Sequence, residues 1–109
     1  MIIIYSTFSD KKEAEKIAEG LLREKLAACV NIFPIGSVYL EEGKIEKCEE
    51  AAVFIKTRKI NFKKVEKFLS KNHSYDIPCV IGIPVRKTNG KYFQWVKKTL
   101  KDGDKEKKL

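Results

Sequence analysis

Histidine is almost absent from this sequence: His73 is the only one among 109 residues. Nucleophilic catalysis ordinarily needs a Ser, Cys or Thr activated by a base, most often a histidine oriented by a carboxylate. Only His73 could be that base here, and no G-x-S-x-G or comparable nucleophile signature accompanies it. Nor is there a glycine-rich loop to cradle a phosphate. Two carboxylate pairs occur, Glu41-Glu42 and Glu49-Glu50. Adjacent residues on a strand point to opposite faces, so neither pair converges on one bond by itself. The expectation is a protein that is not an enzyme.

Arginine is scarce as well. Only three of the 23 basic residues are arginine, namely Arg23, Arg58 and Arg86. Arginine is the residue favoured for bidentate contacts to phosphate and base edges. The net charge of +8 is carried by lysines scattered among 11 glutamates. Such a Lys/Glu surface is equally that of a heat-adapted protein. The nearest approach to an RRM signature, GKYFQWV, lacks the second small residue and falls in a predicted helix. No specific nucleic-acid partner is expected.

Long apolar runs are missing too. Nothing approaches the ~18–20 residues that cross a bilayer, so no membrane partner is expected. The opening MIIIYSTF has no basic segment ahead of it and no small-residue cleavage site, which argues against a signal peptide. The expected compartment is the cytoplasm. The three cysteines, Cys29, Cys48 and Cys79, form no C-x-x-C pair. They make neither a disulfide framework nor a zinc finger, although one disulfide or a thiol ligand stays open. Cys29 reads as a small buried hydrophobe, whereas Cys48 and Cys79 are less determined.

The patterning that is present gives one domain over 1–100 and a charged, frayed tail over 101–109. Ile2 to Phe8 is β-branched and aromatic, a strand signal. Asp10 with Glu13 is a capping-box arrangement, and Ala14, Ile17, Ala18, Leu21 and Leu22 follow at helical spacing. A helix is predicted from about Asp10 to Lys25. AACVNIF reads as a second strand interrupted by Pro34 and Gly36. A ribbon follows, SVYL and KIEKCEEAAVFIKT about a turn centred on Gly43. Asn61 is predicted to cap a second helix carrying Phe62, Val65, Phe68 and Leu69. CVIGIPV is a fourth strand, with Pro84 near an edge or bulge, and KYFQWVKKTL a third, short helix. The order is β-α-β-β-α-β plus a C-terminal helix, an α+β, ferredoxin-like sandwich. This fold alone implies no function.

The segment NHSYDIP, residues 72–78, concentrates the remaining chemistry. A histidine can donate to copper or zinc, and thiolates suit Cu(I). Stable sites generally need three or four ligands, and His73 has no second imidazole. The alternative is a solvated residue at a helix C-terminus, where partial positive charge is favourable. Residue patterns alone leave both readings open.

The strings LREKLAACVNI, SVYLEEGKIEKCEE, FIKT and HSYDIPCVIGIPV, in this order and spacing, closely resemble the CutA divalent-cation tolerance proteins. The resemblance runs from Ile2 to about Leu100. It implies a ferredoxin-like subunit in a tight homotrimer, similar in architecture to PII signalling proteins. It also implies a role in tolerance to copper and other divalent ions, with some members binding copper. The polar family positions, set in clefts between subunits, correspond to Lys44, Glu46, Glu50, Lys56, His73 and Tyr75. His73 is the candidate metal donor, with Asp76 or Glu50 as oxygen donors. Lys56 and Tyr75 are candidates for a small anionic or polar ligand in the same cleft. A copper ion or another divalent cation is therefore the implied cofactor, none of it tightly bound. The chain departs from the family pattern at Glu41, where a tryptophan is usual, and at Ser74 and Asp76 within H-P-Y-E-x-P. Asn72 and Ser6 stand where some members carry a second histidine and a cysteine. A site built from those three donors would keep only His73.

Overall fold

In the computed structural model the chain is described over residues 1–108, with side chains described through Lys101. Past Lys101, the side chains of the tail expected to fray lie outside the described residues. The first strand, β1 (Ile2–Phe8), alternates strictly, with Ile2, Ile4, Ser6 and Phe8 buried. Helix α1 (Lys11–Arg23) starts where the Asp10 carboxylate accepts the Glu13 N–H at 2.8 Å. The reciprocal arm of the box is displaced by one residue: Glu13 Oε1 accepts from Ser9 N and Ser9 Oγ. The helix buries Ala14, Ile17, Ala18 and Leu21, while Leu22, expected on that face, is 40% exposed. It ends two residues before the expected Lys25. Lys25 adopts φ 59°, with Lys25 N donating to Leu22 O and Leu26 N to Leu21 O. That pattern is a Schellman cap with lysine in the position glycine usually takes.

Strands β2 (Cys29–Glu41) and β3 (Lys44–Thr57) form one unbroken hairpin, in register from Cys29↔Lys56 to Glu41↔Lys44. Glu42 and Gly43 close it, both at positive φ, as a two-residue turn of the type that matches strand twist requires. The interruption expected at Pro34 and Gly36 does not occur. β2 is an edge strand, paired on one side only, and an edge can carry a residue without an N–H. Helix α2 (Phe62–Asn72) is entered through a 3-10 turn, Lys59–Asn61. Asn61 makes no side-chain cap; its Nδ2 donates to Thr57 Oγ1 at 3.0 Å, and that hydroxyl donates to Leu26 O. Strand β4 (Ile81–Pro84) pairs with β1, leaving Pro84 on the other edge as expected. Helix α3 (Gly90–Lys108) places Val96 and Leu100 on Ala28, beside Met1 and Tyr92.

The sheet order is β2-β3-β1-β4, antiparallel throughout, so β3 splits β1 from β2 and β1 splits β3 from β4. This is the expected α+β topology. Helices α1 and α2 pack on one face, closing a core of Ile4, Phe8, Leu21, Val53, Ile55, Val65 and Leu69. The other face carries an aromatic row across three strands, Tyr5, Phe54 and Phe33, with centroids 6.1 and 5.1 Å apart. The distal half of the β2–β3 hairpin runs beyond both helices as an arm. Its effect is visible in the radius of gyration, 15.1 Å, against about 13 Å for a compact chain of this length.

Candidate functional site

Strand β1 stops at Phe8, opposite Ala51, while β2 and β3 continue into the arm. The residues of the 73–80 segment gather at that root. His73 ends α2, its backbone N–H donating to Leu69 O. Its side chain is 0% exposed. The ring stacks on Phe8 at 4.5 Å and 15° and lies 4.9 Å from the Tyr75 ring.

Both imidazole nitrogens are engaged. Nε2 lies 2.8 Å from the Thr7 carbonyl oxygen, and Nδ1 lies 3.0 Å from the Tyr75 N–H. A carbonyl can only accept and a backbone N–H can only donate. The network therefore assigns the ring proton to Nε2 and the lone pair to Nδ1.

Beyond the imidazole, Tyr75 Oη donates to Glu50 Oε2 at 2.7 Å, and Ser37 Oγ donates to Glu50 Oε1. Burial, then the hydrogen bond to Glu50 and its charge, push the Tyr75 phenol far above the usual tyrosine range. Cys79 stands nearby, its thiol pushed up by burial and then by Glu50. Tyr5 is raised by burial, then by Cys79 and Glu50. Glu13, with Oε2 4.0 Å from His73 Nδ1, accepts Ser74 N at 2.8 Å and Ser74 Oγ at 2.9 Å. Burial alone would raise the Glu13 carboxyl. The hydrogen bonds from Ser74 and Ser9 outweigh it and hold the group below its usual value.

Of the residues expected from the sequence, His73, Tyr75 and Glu50 come together. Lys56 does not join them within one chain. It lies six residues along β3 from Glu50, about 20 Å at strand rise, with Nζ 5.4 Å over the Tyr92 ring. Lys44 and Glu46 are out on the arm, opposite Glu41 and Tyr39, and Asp76 is exposed in the loop. Sequence reasoning missed Ser37, Ser74 and Tyr92, and read Glu13 only as a capping residue. The spacing of Glu13 four residues after Ser9 was the one available signal, and it pointed to the helix end alone. All three cysteines are free thiols.

A divalent cation does not fit these groups as one chain arranges them. The one lone pair of His73, on Nδ1, already accepts the Tyr75 N–H, and each oxygen of Glu50 already accepts a hydroxyl. Among the described residues, no three His, Cys, Asp or Glu side chains are close enough to hold a metal. Among them also, no helix is long and apolar enough to cross a membrane.

Fold and site together define a class: a split β-α-β sandwich whose 73–80 loop clamps the root of a long β-arm. The model of the CutA1 divalent ion tolerance protein family matches residues 2–99. The divalent-cation tolerance protein CutA of Archaeoglobus fulgidus is 44% identical over 97 residues, 89% of this chain and 95% of that protein. That of Pyrococcus horikoshii is 38% identical over 96 residues, 88% and 94% of the two chains. A solved structure of the Archaeoglobus protein, described as periplasmic, superposes with a TM-score of 0.89 and covers 92% of this chain and 99% of its own. The chain belongs to the CutA1 divalent ion tolerance protein family.

Proposed function

We propose that the chain acts in divalent-cation tolerance, copper included, as a cytoplasmic homotrimer that binds a small ligand between subunits and performs no catalysis. The observation that carries this reading is the apolar surface one chain leaves uncovered. Val38, Leu40 and Ile45 project from the arm at 67%, 74% and 70% exposure, and Phe54, Ile81 and Ile83 stand exposed on the helix-free sheet face. Patches of this kind mark interaction sites, and the two edge strands β2 and β4 invite pairing. The resemblance to CutA proteins implies three copies.

Assembly would also supply what one chain lacks. The Glu50–Tyr75 end and the Lys56–Tyr92 end are too far apart to share a small ligand unless neighbouring subunits interleave them. A cation in that setting would take oxygen from exposed carboxylates such as Glu46 and Asp76. The absence of catalysis is supported by His73, whose ring nitrogens are both committed, and by Cys79, whose raised thiol is no activated nucleophile. The free thiols agree with a reducing compartment.

A second reading is a PII-like regulatory trimer that binds an anionic metabolite, favoured by Lys56 poised over Tyr92. Light scattering followed by calorimetric Cu(II) titration tests the pair. A trimer with saturable Cu(II) binding supports the first reading. A trimer stabilised by anionic metabolites and indifferent to metal supports the second, and a monomer sinks both.

A further inference from the structure

We infer that His73 is a positioning residue, a pin that holds Tyr75 on Glu50 and so fixes the arm to the body, and that it is not a cation ligand. The geometry concerns one chain and holds whether or not copies assemble. Four elements meet at the pin. Thr7 of β1 receives Nε2–H; Tyr75 N–H closes on Nδ1; Tyr75 Oη reaches Glu50 of β3; and Glu50 receives Ser37 of β2. The Glu13 carboxylate of α1, with Oε2 4.0 Å from His73 Nδ1, secures the intervening Ser74 as well, and the Tyr75 N–H at 3.0 Å is the closer partner of that nitrogen.

A metal ligand needs an exposed or exposable lone pair. The single lone pair of His73 lies on Nδ1 and is covered by the Tyr75 amide, two residues along the same chain. Recruiting it would break that bond, displace the ring from Phe8 and free the Tyr75 hydroxyl from Glu50. Recruiting Nε2 would instead leave the part-buried Thr7 carbonyl without its donor. A polar group shielded from water and stripped of its partner is destabilising. The imidazole is also an efficient pin. It is one flat side chain that accepts at one ring nitrogen, donates at the other and stacks through its face.

The tautomer gives a readout that packing alone would not fix. Long-range 1H–15N correlation on the wild-type full chain near neutral pH is expected to show His73 protonated on Nε2 only. Cu(II) added to the same sample should leave its ring signals in place. His73→Gln should change Cu(II) affinity by less than about tenfold. In His73→Ala, released from the loop, the Tyr75 phenol should return toward the ordinary tyrosine range in an absorbance titration, with Tyr75→Phe identifying its contribution. An Nδ1–H tautomer would overturn the inference. So would selective loss of the His73 ring signals on Cu(II) addition, or a fall in affinity of tenfold or more in His73→Gln. The wild-type spectra decide the matter even if His73→Ala does not fold.

Discussion

Tyr75 donates its hydroxyl to Glu50 across 2.7 Å at the point where β1 has ended and the β2–β3 arm continues alone. The bond joins the loop after α2 to a strand 25 residues earlier in the chain. It is the one described side-chain bond between that loop and β3.

Removing the hydroxyl alone should therefore weaken the join without disturbing the packing of the ring. Hydrogen bonds to charged groups contribute about 1.5–3 kcal/mol. Glu50 is only partly buried and water can replace the phenol, so Tyr75→Phe is expected near the lower end of that range. Urea denaturation at fixed protein concentration measures it. An unchanged midpoint would mean the bond does not hold the arm.

Acid should release the tie between Glu13 and Ser74. The folded-state pKa of Glu13 is lowered, so its stabilisation is fully present above the unfolded carboxylate value. It is then lost as pH falls from about 4.5 through the lower folded value. Wild type is expected to lose urea resistance over that window more steeply than Glu13→Gln, which lacks the titration. Parallel pH profiles for the two proteins would show that the hydrogen bonds from Ser74 and Ser9 do not favour the charged form.

The arm tip offers a test of assembly that leaves the subunit core alone. Leu40 touches water over most of its surface, so a charge there does not enter the helix-packed core. If the arm embraces another copy, Leu40→Asp buries an unpaired carboxylate at the contact. The expected result is a fall in light-scattering mass toward one chain with an unchanged far-UV circular dichroism spectrum. Wild-type mass in the variant would place the contact elsewhere.

Periodicity made the fold legible. The alternation of Ile2, Ile4 and Phe8 and the helical spacing of Ala14, Ile17 and Leu21 placed elements that the structure reproduces within a few residues. Where reading and structure part, the cause is context that local sequence does not carry. Pro34 looks like a break until the strand is known to be an edge. Asn61 looks like a cap until Thr57 is known to lie buried beneath it. The site was half legible. Tyr75 and Glu50 stood out through resemblance and do meet. The surroundings of His73 depend on Thr7 and Phe8, whose approach from the far end of the chain leaves no periodic trace.

The pairing order of the sheet sets a timetable for folding. The β2–β3 hairpin closes through two residues, Glu42 and Gly43, so its contacts are local and can form early. Strand β1 is synthesised first but pairs only with β3 and, through Ile2↔Pro84, with β4. During translation the N-terminal strand stays unpaired until β3 is complete at Thr57, and its second edge stays open until β4 follows. The interval between Thr57 and Pro84 thus leaves one edge of the first strand bare, and that edge is where a nascent chain is open to mispairing with its neighbours.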